Sequence, residues 1–173
     1  MKVKSFKTVI LLLAIVSFFS CKKDSSSSDY YVKFKLNGNW VTWKKVVAGE
    51  LGPDLADPTK TDFGVTANDD AINNVLDISI QVNSTNFATG SYDSDNSNYW
   101  VVVSYMKDAN TANMKLFDIT DAPSQPPSKY IVNVTSITPT ELKGTFTGNY
   151  LSDWNTGEMM NITEGEFFVK RLR

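Results

Sequence analysis

The stretch Leu76-Asp77-Ile78-Ser79-Ile80-Gln81-Val82-Asn83 changes from apolar to polar at every step. A strand sends successive side chains to opposite faces, so this segment reads as a half-buried strand with Leu76, Ile78, Ile80 and Val82 inward. The same period recurs on both sides of it. Upstream, Tyr30, Val32, Phe34 and Leu36 alternate with Tyr31, Lys33 and Lys35, and Asn37-Gly38 then supplies a strong hairpin signal leading into Trp40–Val46. Residues 47–60, with Gly49, Gly52, Pro53 and Pro58, read as a loop. Downstream, Tyr99–Met106 is apolar on both faces, as expected of a central strand covered on both sides. Residues 114–119 give a short strand, and 121–128, with three prolines, cannot continue a ladder. Residues 129–138 and 142–150 form a pair about the turn at Pro139-Thr140, with Leu142, Gly144, Phe146, Gly148 and Tyr150 on one face. Asn155-Thr156-Gly157 turns into a closing strand, 158–171. Its apolar phase shifts between Ile162 and Phe167, so Gly165 marks a bulge. No helical stripe follows the amino-terminal segment. Nine or ten strands with frequent turns predict an all-β fold, an antiparallel β-sandwich, with a barrel as the alternative.

The amino terminus carries a different signal. Lys2, Lys4 and Lys7 make a positive start, and residues 8–20 are mostly apolar. That run has the length of a signal-peptide core and falls short of the roughly 20 residues a membrane span needs. Ser20 then precedes Cys21, the only cysteine in the chain. This resembles the lipobox of bacterial lipoproteins, with Phe18 standing where the family usually has Leu, Val or Ile. The resemblance implies cleavage between Ser20 and Cys21 and attachment of acyl chains, palmitate among them, at Cys21. One acyl chain binds a bilayer only marginally, whereas two or three hold it durably. Residues 21–29 are polar and rich in serine, and read as a flexible tether for a single domain over 30–173. Cys21-Lys22-Lys23-Asp24-Ser25 also partly resembles the tag that sends Bacteroidota lipoproteins to the cell surface. The expected location is therefore the cell envelope, anchored in the outer membrane by lipid.

Composition narrows the chemistry. Without residues 1–20 the chain keeps 14 of its 17 basic residues against 19 acidic ones, a net charge of −5. That balance argues against nucleic acid and against electrostatic docking on anionic lipid. The chain has no histidine, which excludes Ser–His–Asp and Cys–His catalysis. Zinc sites of Cys and His are excluded on the same ground. No cofactor is expected.

Two resemblances bear on the fold. Phe34-x-Leu36-Asn37-Gly38-x-Trp40, Lys143-Gly144-Thr145-Phe146 and Ile162-Thr163-x-Gly165-x-Phe167 resemble segments of small Bacteroidota envelope lipoproteins, domain-of-unknown-function families of β-sandwich type. That likeness implies fold and location and no activity. Gly38-Asn39-Trp40 resembles the Gly-x-Trp opening of lipocalins, in which a late arginine, here Arg171, packs on the tryptophan. Lipocalins place a helical turn before this motif, and here a strand precedes it.

Candidate sites are few. Trp40 and Trp43, three apart on one strand, face opposite sides, so one belongs to the core and one to solvent. Trp100 is expected in the core, and Trp154, among Ser, Asp and Asn, in an exposed loop. Trp43 and Trp154 are the candidate ligand-binding residues, because a bare indole face stacks on sugar rings. Asp93 and Asp95 begin like a calcium loop, but Asn98 stands where an EF-hand needs Gly and Ser104 where it needs Glu. Asn68-Asp69-Asp70 is a similar hairpin tip. Glu164 and Glu166, two apart on the closing strand with the bulge at Gly165 between them, are read as solvated charge and not as a glycosidase pair. The sequence therefore predicts a non-catalytic envelope lipoprotein that binds a glycan or nutrient ligand. The alternative is an accessory lipoprotein that contacts protein partners.

Overall fold

The computed structural model describes residues 29–118, 129–153 and 155–173. Among them lie 11 strands and no helix. They are β1 (Tyr31–Leu36), β2 (Asn39–Trp43), β3 (Val46–Pro53), β4 (Thr61–Asn68), β5 (Val75–Val82), β6 (Gly90–Asp93), β7 (Tyr99–Lys107), β8 (Lys115–Asp118), β9 (Lys129–Ile137), β10 (Glu141–Asp153) and β11 (Met159–Arg171). The segment expected to be a signal peptide, Ser20 and Cys21 of the expected lipidation motif and nearly all of the expected tether lie outside the described residues, as do the proline-rich stretch 121–128 and Trp154.

The strands are hydrogen-bonded into one mixed sheet of 11 that folds over into two antiparallel layers. One is a six-stranded sheet, β2-β1-β11-β10-β9-β6, antiparallel throughout. The other is five-stranded, β3-β4-β5-β7-β8, also antiparallel. Two short seams join them. Lys170 and Arg171 of β11 pair in parallel with Ala48 and Gly49 of β3, and Ser152 and Asp153 of β10 pair with Asp118 and Phe117 of β8. The sandwich is thus sealed at both corners. It is not the up-and-down barrel of the lipocalin alternative, because neighbours do not follow chain order and β11 runs parallel to β3. Arg171 does not pack on Trp40 either. Its guanidinium donates to the backbone carbonyls of Leu51 and Thr138 and so ties the corner together.

The alternation read from the sequence becomes the core. Leu76, Ile78, Ile80 and Val82 are buried from the five-stranded side, and Val32 and Phe34 from the six-stranded side. Aromatic rings bridge the layers, Phe34 to Tyr105 and Phe63 to Phe167. Asn37 and Gly38 both adopt positive φ, 48° and 84°, which matches the twist of the two-residue hairpin between β1 and β2. The bulge in β11 is where the phase shift puts it. Three residues of β11 span two of β1 between Lys33 and Lys35, Glu164 takes φ 51°, and Ile162, Gly165 and Phe167 all face the core.

Three expectations need correction. Residues 47–60 are not one loop, since β3 runs to Pro53. Gly49 belongs in that strand because a Cβ there would lie 2.6 Å from Leu142 Cδ1 and 2.7 Å from Val169 Cγ2, so glycine lets β3 close on β11 at the corner. Tyr150 leaves the face that alternation assigns to it. It takes φ 57° at a second irregularity of the β10–β11 ladder and is exposed. β7 is not covered on both faces, since Val101, Val103 and Tyr105 are buried on one while Trp100 on the other is exposed. Its first half also has a neighbour on one edge alone among the described residues, because β8 pairs only with Tyr105–Lys107.

Candidate functional site

That half-open strand carries Trp100, which is 55% exposed and not in the core. Cross-strand pairing places it in a row across the outer face of the five-stranded sheet, Gly52, Asp62, Gln81 and Trp100. The next row is Glu50, Gly64, Ser79 and Val102. The middle of this second row has no side chain taller than serine. A depression results, with Gly64 and Ser79 on its floor and Trp100 at one side. Leu172 and Arg173 form the opposite side. Leu172 N–H donates to the Gly49 carbonyl and Leu51 N–H to that of Arg173, which lays this segment along β3. The groove encloses about 560 Å³. That lies within the roughly 300–1,000 Å³ of small-molecule sites.

The polar groups of the groove are fixed. Gln81 Nε2 donates to Asp54 Oδ2 at 2.8 Å and to Asp62 Oδ1 at 3.0 Å. Asp54 is in turn clamped by the backbone N–H groups of Ala56 and Asp57, at 2.6 and 2.7 Å. Those bonds, that from Asp57 first, hold its carboxyl below the usual range. Glu50 pairs with Arg173 at 3.0 Å. Thr66 donates to Asp77 at 2.7 Å on the same face. The site is therefore an indole wall beside oriented amide and carboxylate groups over a small-residue floor. Such a surface can stack one face of a polar ring and hydrogen-bond its edge.

The residues singled out from sequence fall elsewhere. Trp43 is half-buried and turned inward, stacked on Tyr105 at 6.2 Å and edge-on to Phe34 at 5.2 Å, so its ring is not offered to a ligand. Trp40 is the outward member of the pair. Its ring is covered by two lysines, Lys33 Nζ at 4.1 Å and Lys35 Nζ at 5.0 Å from the centroid. Trp154 lies outside the described residues, as do Ser20 and Cys21. Asp93 and Asp95 lie not at a hairpin tip but in the connection from β6 to β7, two strands that pair with different neighbours. Asp95 N–H donates to Asp93 Oδ1 at 3.0 Å, and Lys129 Nζ lies 3.8 and 2.8 Å from their carboxylates. Among the described residues no group of three or more His, Cys, Asp or Glu is placed to hold a metal. Asp69 likewise closes its own tip by accepting from Asn73 N–H and the Asn74 amide. Glu164 pairs with Lys35 at 2.6 Å, and Glu166 accepts the Tyr31 hydroxyl. Both are solvated on the outer face of the six-stranded sheet.

No protein-family model, curated protein or solved structure matches the chain.

Proposed function

We propose that the protein is a non-catalytic, lipid-anchored envelope protein that captures a glycan in the Trp100 groove. The observation that carries this reading is the bare indole of Trp100 beside the Gly64–Ser79 floor. A flat apolar ring next to fixed polar groups suits a sugar, whose ring faces are apolar and whose rim is hydroxylated. The absence of histidine and the pairing of Glu164 and Glu166 with Lys35 and Tyr31 support binding without turnover. Lipid attachment at Cys21 through residues 21–29 would hold such a domain at the membrane while leaving it free to reach outward.

Two experiments test the reading. In a glycan-array screen the detergent-solubilised full protein binds at least one glycan class, and Trp100→Ala weakens that binding about tenfold or more. A folded protein that binds nothing on a broad array ends the glycan reading. For the anchor, Cys21→Ala moves the protein out of the membrane fraction and abolishes labelling with radioactive palmitate. A wild-type chain that takes up no label refutes it.

A further inference from the structure

Resting on the glycan reading above, we infer that the Trp100 groove selects sugars without a carboxylate, and that Asp62 and Gln81 set this preference. Gln81 stands directly opposite Trp100 in the β5–β7 ladder, and Asp62 opposite Gln81 in the β4–β5 ladder. An amide lying between two carboxylates has one workable orientation, with its NH₂ toward both. Gln81 adopts it and uses Nε2 on Asp54 and Asp62. The group it has left is its carbonyl oxygen, an acceptor. Beside it stands the Asp62 carboxylate, also an acceptor, and Ser79 adds a hydroxyl on the floor. The cation at the groove, Arg173, is already matched by Glu50 at 3.0 Å.

The ring stacked on Trp100 therefore meets acceptors at its edge. Hydroxyl groups donate to them. A ligand carboxylate meets no unmatched cation among the described residues that line the groove, and faces the negative charge of Asp62 instead. Like-charge juxtaposition of this kind acts against the wrong partner more than it favours the right one.

The test uses matched pairs of oligosaccharides that differ only in a carboxylate at C6: glucose with glucuronate, galactose with galacturonate, mannose with mannuronate. Titration calorimetry with the full protein in detergent is expected to show at least one neutral member bound, and its uronate partner at least about tenfold weaker. In Asp62→Asn the ratio between neutral and uronate members narrows by about threefold or more, since that substitution removes the charge and keeps the shape. Suppose instead that a uronate binds the wild type as tightly as its neutral partner, and that Trp100→Ala abolishes the binding of both. That result overturns the inference and leaves the glycan reading standing. An unchanged ratio in Asp62→Asn overturns the role of Asp62. If no member of any pair binds, the glycan reading fails and the inference fails with it.

Discussion

Among the described residues the outer faces of the two sheets each present one tryptophan, Trp40 at 51% and Trp100 at 55% exposure, yet only one of the two has an uncovered ring. On the six-stranded sheet, Lys33 and Lys35 lie over the Trp40 ring and Lys143 lies 4.1 Å from the centroid of Phe168. Those rings are already engaged by cations of the same sheet. Among the described residues no such cation lies over Trp100, and the surface beside it is hollow. The glycines differ in the same sense. Gly144 and Gly165 of the six-stranded sheet face inward, and the rings of Phe167 and Phe146 occupy the space their side chains would need. Gly64 of the five-stranded sheet faces outward, with no atom nearer than 3.9 Å to the place of a Cβ. Apart from Gly49, which lets β3 close against β11 at the corner, the small residues of one sheet pack the core and those of the other shape a surface. Exposed area alone does not mark a site; what lies over the ring and what lies beside it do.

The sharpest way to break this contrast is to add one methyl group on each side. Gly144→Ala drives a Cβ to 2.3 Å from the Asn133 carbonyl and 2.4 Å from Phe167, and is expected to cost about 3 kcal/mol of stability. Gly64→Ala, in open space, is expected to stay within about 1 kcal/mol of wild type and on the stabilising side. Urea denaturation measures both, and equal destabilisation would show that the two glycines play the same part.

Next come the tryptophans. Trp100→Ala is expected to abolish about 90% or more of glycan affinity with a stability change below about 0.5 kcal/mol. Trp40→Ala should leave affinity untouched and cost about 0.5–1 kcal/mol, because Lys33 and Lys35 no longer have a ring beneath them. Reversed results would assign the site to the other face. Gly64→Phe sharpens the point, since it fills the floor and should eliminate binding while far-UV circular dichroism stays that of the wild type.

The smallest effects are those of pH, and they separate the faces by sign. Asp54, on the groove side, has a lowered folded pKa. Its contribution is fully present above the ordinary carboxylate range near 4 and is lost as pH falls through the lowered value. Tyr31, on the other face, is raised to about 12, first by its hydrogen bond to Glu166. Its contribution is present below the ordinary tyrosine value near 10 and is lost as pH rises toward 12. Melting curves of Asp54→Asn should therefore converge on the wild type only in acid, and those of Tyr31→Phe only in alkali.

Much of this fold is legible in the sequence because its signals are local. The alternation of 76–82, the Asn37-Gly38 turn and the phase shift at Gly165 each depend on a few adjacent residues. The rest depends on distant ones. Gly49, Gly52 and Pro53 look like a loop until Leu142 and Val169 are seen against Gly49. β4 does alternate, with Phe63, Val65 and Ala67 inward between Asp62, Gly64, Thr66 and Asn68, but its glycine, alanine and threonines keep the signal weak, and the four-residue β6 is too short to show a period. Trp100 sits in an apolar run, and only the fold shows that it points to the uncovered outer face of β7, beside a short β7–β8 ladder. Alternation puts Trp43 and Trp40 on opposite faces but cannot say which side is the core. The groove escapes a reading of the sequence because it consists of small residues from several strands, and no single segment shows it.

The place of β11 in the sheets also bears on how the molecule assembles in time. That strand pairs with β1, β10 and β3, and the hydrogen bond from Tyr31 at the start of the domain to Glu166 spans 135 residues. Pairings of such long range require large loop closures and place all-β domains among slow folders, at about milliseconds to seconds. The β3–β4 and β4–β5 hairpins, which carry the groove floor, need only neighbouring residues. Pulsed hydrogen exchange during refolding is expected to protect amides of β4 and β5 before those of β1, and the reverse order would contradict it. Until β11 arrives, the six-stranded sheet exists only as two separate pieces, β2-β1 and β10-β9-β6, so the last strand made is the one that joins them.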